Sequence, residues 1–259
     1  MAQLTFYGAV EGVTGSLYLL QTDKATLLLE CGLFQGRREE EDANEKPLPF
    51  ETSTIDAVVL PHAHLDHSGR LPLLVKSGYS GPIYMTRASS DLIEILLKDA
   101  ASLQERDVEW ENKRRRRAGK QEIEPLYRLE DVEATLDYCQ GLRYNQRTNI
   151  ADGVDIRFLD AGHILGSAIF ELYINERGVE KKLVFSGDLG NCQAALLRDP
   201  EVVEEADILL LESTYGDRDH RSMEDTLQEF EDVIEEASAN GGNILIPSFA
   251  VGRTQEILF

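Results

Sequence analysis

His62-Ala63-His64-Leu65-Asp66-His67 places three imidazoles and a carboxylate within six residues, directly after the apolar run Ala57-Val58-Val59-Leu60. Imidazole and carboxylate suit Zn²⁺, Mn²⁺ or Fe, and four such groups at this spacing exceed what one tetrahedral ion takes from a single loop. Two neighbouring metal ions at the end of a strand are therefore expected. A fourth histidine, His163, stands at another strand-to-loop junction, Phe158-Leu159-Asp160-Ala161-Gly162-His163. Asp188 stands at a third, in Ser186-Gly187-Asp188-Leu189-Gly190 after Leu183-Val184-Phe185. A Gly-Asp turn met alone is ordinarily structural. Beside these histidines it reads as a carboxylate able to bridge two metals. The expected division puts His62, His64 and His163 around one ion, Asp66 and His67 around the other, and Asp188 between them. His220 has no part in this scheme.

The cluster His-x-His-x-Asp-His, the later Gly162-His163 and Gly187-Asp188 resemble the metallo-β-lactamase fold hydrolases. Further motifs resemble the β-CASP branch of that family, whose members process RNA. They are Gly12-Val13-Thr14-Gly15-Ser16, Cys31-Gly32-Leu33-Phe34-Gln35-Gly36, His163-Ile164-Leu165-Gly166-Ser167-Ala168, Glu212-Ser213-Thr214-Tyr215-Gly216-Asp217-Arg218 and Pro247-Ser248-Phe249-Ala250-Val251-Gly252-Arg253. With the histidine cluster these motifs fall in the family's order over nearly the whole chain.

The resemblance implies an α/β fold: an αββα sandwich over residues 1–214, followed over 215–259 by the beginning of an inserted β-CASP domain. It also implies two divalent metal ions, zinc foremost, and hydrolysis of RNA phosphodiester bonds, endonucleolytic or 5′-exonucleolytic. RNA is the implied partner, and a homo-oligomer is compatible with it. Asp66 would be ligand and proton acceptor, and Glu212 a proton relay towards the leaving oxygen. Ser248 and Arg253 lie where amides opening a helix could receive a phosphate. The family's usual aspartate before Cys31 is replaced by Glu30, one methylene longer, read as a support for a ligand. Its last metal-binding histidine and two further histidines lie downstream of His220 and have no counterpart before Phe259. The chain is accordingly expected to be an N-terminal part, with one metal position weaker than the other. Two other readings stand beside this one: a hydrolase of a thioester, lactone or lactam, against which the Glu212 motif speaks, and a non-catalytic scaffold.

The remaining composition bounds these readings. The 259 residues, 42% of them hydrophobic, suffice for one large domain or a domain and a half. No apolar run approaches membrane-spanning length and no signal peptide is visible. Cys31, Cys139 and Cys192 are odd in number and widely spaced, which argues against a disulfide framework and for a reducing cytoplasm. The net charge of −21 opposes a polyanionic partner unless charge is segregated. Bound metals would supply local positive charge. Lys113-Arg114-Arg115-Arg116-Arg117 is the only dense basic block, a solvated helix face or a guide for a strand.

These side chains need a scaffold of strands opening into loops. Strands are expected at Leu4 to Val10, Leu17 to Gln21, Thr26 to Glu30, Asp56 to Leu60, Pro82 to Thr86, Val154 to Asp160, Ala168 to Ile174 and Lys182 to Phe185. Helices are expected at Ser68 to Lys76, Ser89 to about Arg117, and Glu130 to Cys139. Further on, Ile208 to Leu211 reads as a fully apolar strand and Met223 to Ala237 as an acidic amphipathic helix. Asn243 to Ile246 reads as a strand, and Arg253 to Phe259 as the start of a helix.

Overall fold

The computed structural model describes residues 2–10, 12–219 and 221–259, so His220 lies outside the described residues. The chain forms two compact units, Met1–Leu211 and Glu212–Phe259.

The first unit is built on two sheets. In the first sheet β1 (Gln3–Gly8), β2 (Leu17–Gln21) and β3 (Thr26–Leu29) run antiparallel, and β4 (Ala57–Val59), β5 (Ile83–Thr86) and β6 (Cys139–Leu142) continue it in parallel. Between these strands lie α1 (Arg38–Glu41), α2 (Leu65–Ser68), α3 (Leu71–Lys76), α4 (Arg87–Arg117) and α5 (Leu129–Leu136). The second sheet has the order β11-β10-β9-β8-β7, from β7 (Thr148–Ala151), β8 (Val154–Asp160), β9 (Ala168–Glu176), β10 (Val179–Phe185) and β11 (Ile208–Leu210). Its pairings are antiparallel except β10 with β11.

Side-chain alternation along the strands builds two cores. Leu27, Leu29, Ala57 and Val59 face Phe158, Phe170, Leu172 and Phe185 between the sheets. Leu28, Val58, Ile83 and Met85 face the opposite way, against Leu71 and Leu74 of α3, Ile93 and Leu97 of α4 and Val132 of α5. Burial on both faces explains why the central strands are apolar without alternation. The outer face of the second sheet carries a small apolar cluster of Leu159, Ile169 and Val184. Beside it, Glu171 accepts hydrogen bonds from Arg157 and Tyr173 at 2.5 and 2.7 Å.

Four sequence expectations change. The helix expected over Ser68 to Lys76 is broken at Gly69-Arg70 into α2 and α3. There Arg70 N donates to Cys31 O, and Pro72, which has no N–H, opens α3. The helix expected to run to Cys139 stops at Leu136, and Cys139 begins β6. The strand expected over Ile208 to Leu211 ends at Leu210 and lies at the sheet edge, where its apolar side chains are largely exposed. Among the described residues no strand forms at 243–246, where Leu245 is 92% exposed. A lone extended segment has no ladder to satisfy its backbone. The second unit instead consists of α6 (Met223–Asn240), capped by Ser222 and closed by Gly241 in the left-handed region, and α7 (Arg253–Leu258).

Candidate metal centre

Three loops leave the strands at one end of the sandwich and carry the ligand residues. The loop after β4 is held by backbone hydrogen bonds to two earlier segments: Ser16 N to Asp66 O at 3.1 Å, Cys31 N to His67 O at 2.9 Å and Leu33 N to Leu65 O at 2.8 Å. This lacing needs the close approach only glycine allows, because a Cβ on Gly32 would lie 1.6 Å from Asp66 O. Ser68 Oγ donates to Ala63 O and His64 O and closes the turn from within. In the loop between β8 and β9, the amides of His163 and Ile164 donate to Ser167 Oγ at 3.0 and 3.2 Å. Thr86 and Ser89, where α4 begins, donate to Gly166 O and fix the same loop from the other side.

Within this frame His62 Nε2, His64 Nδ1, His163 Nε2 and Asp188 Oδ2 converge. The separations are 3.1 Å for His62 to His64, 3.3 Å for His163 to His64, 3.8 Å for His62 to Asp188 and 3.6 Å for His163 to Asp188. Ligand atoms about 2.0–2.1 Å from a tetrahedral zinc ion stand about 3.3–3.4 Å from one another. The observed edges bracket that value, and all four atoms lie within 4.8 Å of each other. One cation at their meeting point would accept all three imidazole nitrogens and the carboxylate as ligands at once. The donor set fits a divalent metal.

A second set adjoins it. His67 Nε2 lies 3.4 Å from Asp66 Oδ2 and 3.3 Å from Asp188 Oδ1. The far nitrogen of His67, Nδ1, donates to Glu30 Oε1 at 2.5 Å. Glu30 is buried and adopts φ 62°, an unusual conformation for a residue with a Cβ, at the point where its longer side chain turns towards His67. A carboxylate on the far nitrogen fixes the tautomer and orientation of a histidine meant to bind metal.

The electrostatics separate the two sets. Burial pushes the His64 imidazole down to about 4, with His163 adding to the effect, and burial also holds His62 well below the ordinary histidine value. Both are neutral and ready to bind at physiological pH. Burial acts the same way on His67, but the carboxylates of Glu30, Asp188 and Asp66 outweigh it and raise His67 well above the ordinary value. The second set therefore holds a proton that a metal must displace.

The other residues singled out from the sequence belong to the second unit. Glu212 accepts a hydrogen bond from Thr214 N at 3.0 Å. Ser248 Oγ and Thr254 Oγ1 are 3.1 Å apart, and Arg253 pairs with Glu256 at 3.0 Å. Supporting residues left unassigned from sequence are Ser167, Asn44 and Arg70. Ser167 sits inside the motif His163-Ile164-Leu165-Gly166-Ser167-Ala168, where a small polar side chain beside a glycine is the available signal. Asn44 exchanges hydrogen bonds with the Phe34 backbone. Arg70 Nε donates to Gly32 O, with its guanidinium over the Phe34 ring. Nothing in the local pattern marks either of these two.

Residues 19–213 match a family model described as the metallo-beta-lactamase superfamily domain. A protein named ribonuclease TTHA0252, from Thermus thermophilus, is 42% identical over 253 residues, 98% of this chain and 53% of that protein. A transcription termination factor FttA from Methanocaldococcus jannaschii is 32% identical over 260 residues, 99% of this chain and 38% of that protein. An RNase J-like protein from the same organism is 31% identical over 261 residues, 100% of this chain and 54% of that protein. The chain thus spans 38% to 54% of the length of these relatives. The family match agrees with the metal-ligand geometry, and the motifs are consistent with the β-CASP branch: the chain belongs to the metallo-β-lactamase superfamily.

Proposed function

We propose that this chain carries the metal centre of a hydrolase that cleaves RNA phosphodiester bonds with two divalent ions, zinc foremost. The observation that carries the reading is the division of Asp188, which offers Oδ2 to the three-histidine set and Oδ1 to the set of His67 and Asp66. A single carboxylate shared in this way suits two adjacent ions. Such ions supply water that ionises near neutral pH and positive charge against the phosphoryl oxygens.

The protein's part is position and proton handling. Asp66 presents a carboxylate beside His67, where it orients the attacking water and accepts its proton. Glu30 fixes His67 from behind. Glu212 is assigned as the relay towards the leaving oxygen, and Ser248 and Arg253 as contacts for the RNA phosphates. The names of the ribonuclease and RNase J-like relatives support RNA as substrate. No helix among the described residues is long and apolar enough to cross a membrane.

The test is a parallel assay of purified protein, with zinc or manganese added, on end-labelled RNA and on a chromogenic lactam. RNA cleavage that needs metal and is abolished by Asp66→Ala is expected. Turnover of the lactam without RNA cleavage would overturn the reading. Inertness towards both substrates with metal bound would favour a non-catalytic scaffold.

A further inference from the structure

The basic block at the end of α4 is not used by the metal centre. On a helix of 100° per residue, Arg106, Trp110, Lys113, Arg114 and Arg117 fall within an arc of about 100°. All five are exposed, while Ile93, Leu97, Ala100 and Ala101 bury the opposite side of α4. Trp110, the only tryptophan of the chain, is 61% exposed, and the Arg114 guanidinium lies 4.9 Å from its ring centroid. Among the described residues Arg115, Arg117 and Lys120 have no carboxylate within 4.0 Å. Lys113 and Arg114 pair with Glu109 and Glu111 at 4.0 and 3.3 Å. Exposed pairs of this kind are weak and readily exchanged.

The helix dipole accounts for cations in the last turn of α4, at about 0.3–1 kcal/mol each. It does not account for an exposed indole one turn earlier, or for Arg106 beyond it on the same face. We propose that this face is a docking ridge for single-stranded RNA, with Trp110 stacking on a base and Arg106, Lys113, Arg114 and Arg117 following the phosphates. An aromatic platform flanked by cations is the arrangement by which proteins hold single strands without reading sequence. An acidic protein segment would use the cations and leave the indole without a role. In a chain of net charge −21, the ridge gives a polyanion a second foothold. Its distance from the metal loops is set by α4: Ser89 touches the His163 loop, and at about 1.5 Å per residue Arg114 lies roughly 37 Å along the helix. The ridge would therefore hold RNA remote from the scissile bond. It extends the proposed function to a binding surface that needs no metal.

Because Trp110 is the only tryptophan, its fluorescence reports on the ridge alone. Protein in EDTA, where no cleavage occurs, is titrated with a 20-nucleotide oligouridine. We expect a saturable fluorescence change that weakens about 50-fold between 50 and 200 mM salt if four phosphates are neutralised. The double reversal Arg114→Glu with Arg117→Glu should weaken binding at least tenfold. By anisotropy of labelled RNA, Trp110→Ala should weaken it roughly tenfold, and Lys181→Glu on the second sheet should not. RNA that binds by anisotropy without moving Trp110 fluorescence would overturn the proposal. So would a double reversal without effect, or polyglutamate displacing the RNA at equal charge concentration. Since binding is read without metal, a failed cleavage assay leaves this result standing on its own.

Discussion

Asp188 Oδ1 stands 3.3 Å from His67 Nε2, while Oδ2 of the same carboxylate faces His163 Nε2 at 3.6 Å, so one side chain joins two donor sets. Asp188→Asn keeps the shape and removes the charge. Both sets should suffer, and metal content measured by plasma mass spectrometry should fall below one ion per chain. His163→Ala should weaken mainly the first position. Equal and undiminished metal content in Asp188→Asn would contradict the shared role.

Glu30 acts on metal only through His67 Nδ1. Glu30→Gln should lower zinc affinity at the second position by about 10–100-fold and leave the first nearly unchanged. Calorimetric titration separates the two. The wild-type chain should itself show one tight and one loose ion.

The opposite shifts of His64 and His67 give the two positions different pH profiles. A metal must displace the His67 proton, so affinity at the second position should rise with pH through the neutral range. His64, held down to about 4, and His62, also lowered, are already neutral there, so neither adds pH dependence to the first position in the neutral range. Zinc titrations at pH 5.5, 6.5 and 7.5 read this directly. A first position more pH-sensitive than the second would reverse the assignment.

Gly32→Ala should damage the fold around the site. The added Cβ would meet the Asp66 carbonyl, a backbone atom that cannot move without pulling the ligand loop. Overpacking of this kind costs about 1–3 kcal/mol, visible as a lowered melting temperature together with weakened metal binding. Gly119→Ala, where a Cβ meets nothing within 4 Å, should leave metal binding intact, although its φ of +66° still costs some stability.

The ligand residues were legible because their chemistry is unusual at short spacing: three histidines in six residues have few other uses, and each loop follows an apolar strand. The central strands were legible for the same reason, being apolar on both faces. What supports the site was less visible. Arg70 reaches Gly32 across 38 residues, and Thr86 reaches Gly166 across 80, through single hydrogen bonds that leave no periodic trace. The short strands β6 and β7 went unmarked because Gln140, Gly141 and Asn149 interrupt any apolar alternation. At 243–246 the apolar run Ile244-Leu245-Ile246 promised a strand, but a strand depends on a neighbour that local sequence does not specify.

The two-metal centre itself is tested most directly by anomalous diffraction from crystals of this protein soaked in millimolar zinc. Two peaks are predicted, about 3.5–4 Å apart: one amid His62, His64 and His163, the other against Asp66 and His67, with Asp188 touching both. A single peak at full occupancy, or peaks that leave Asp188 outside coordination distance, would contradict the account.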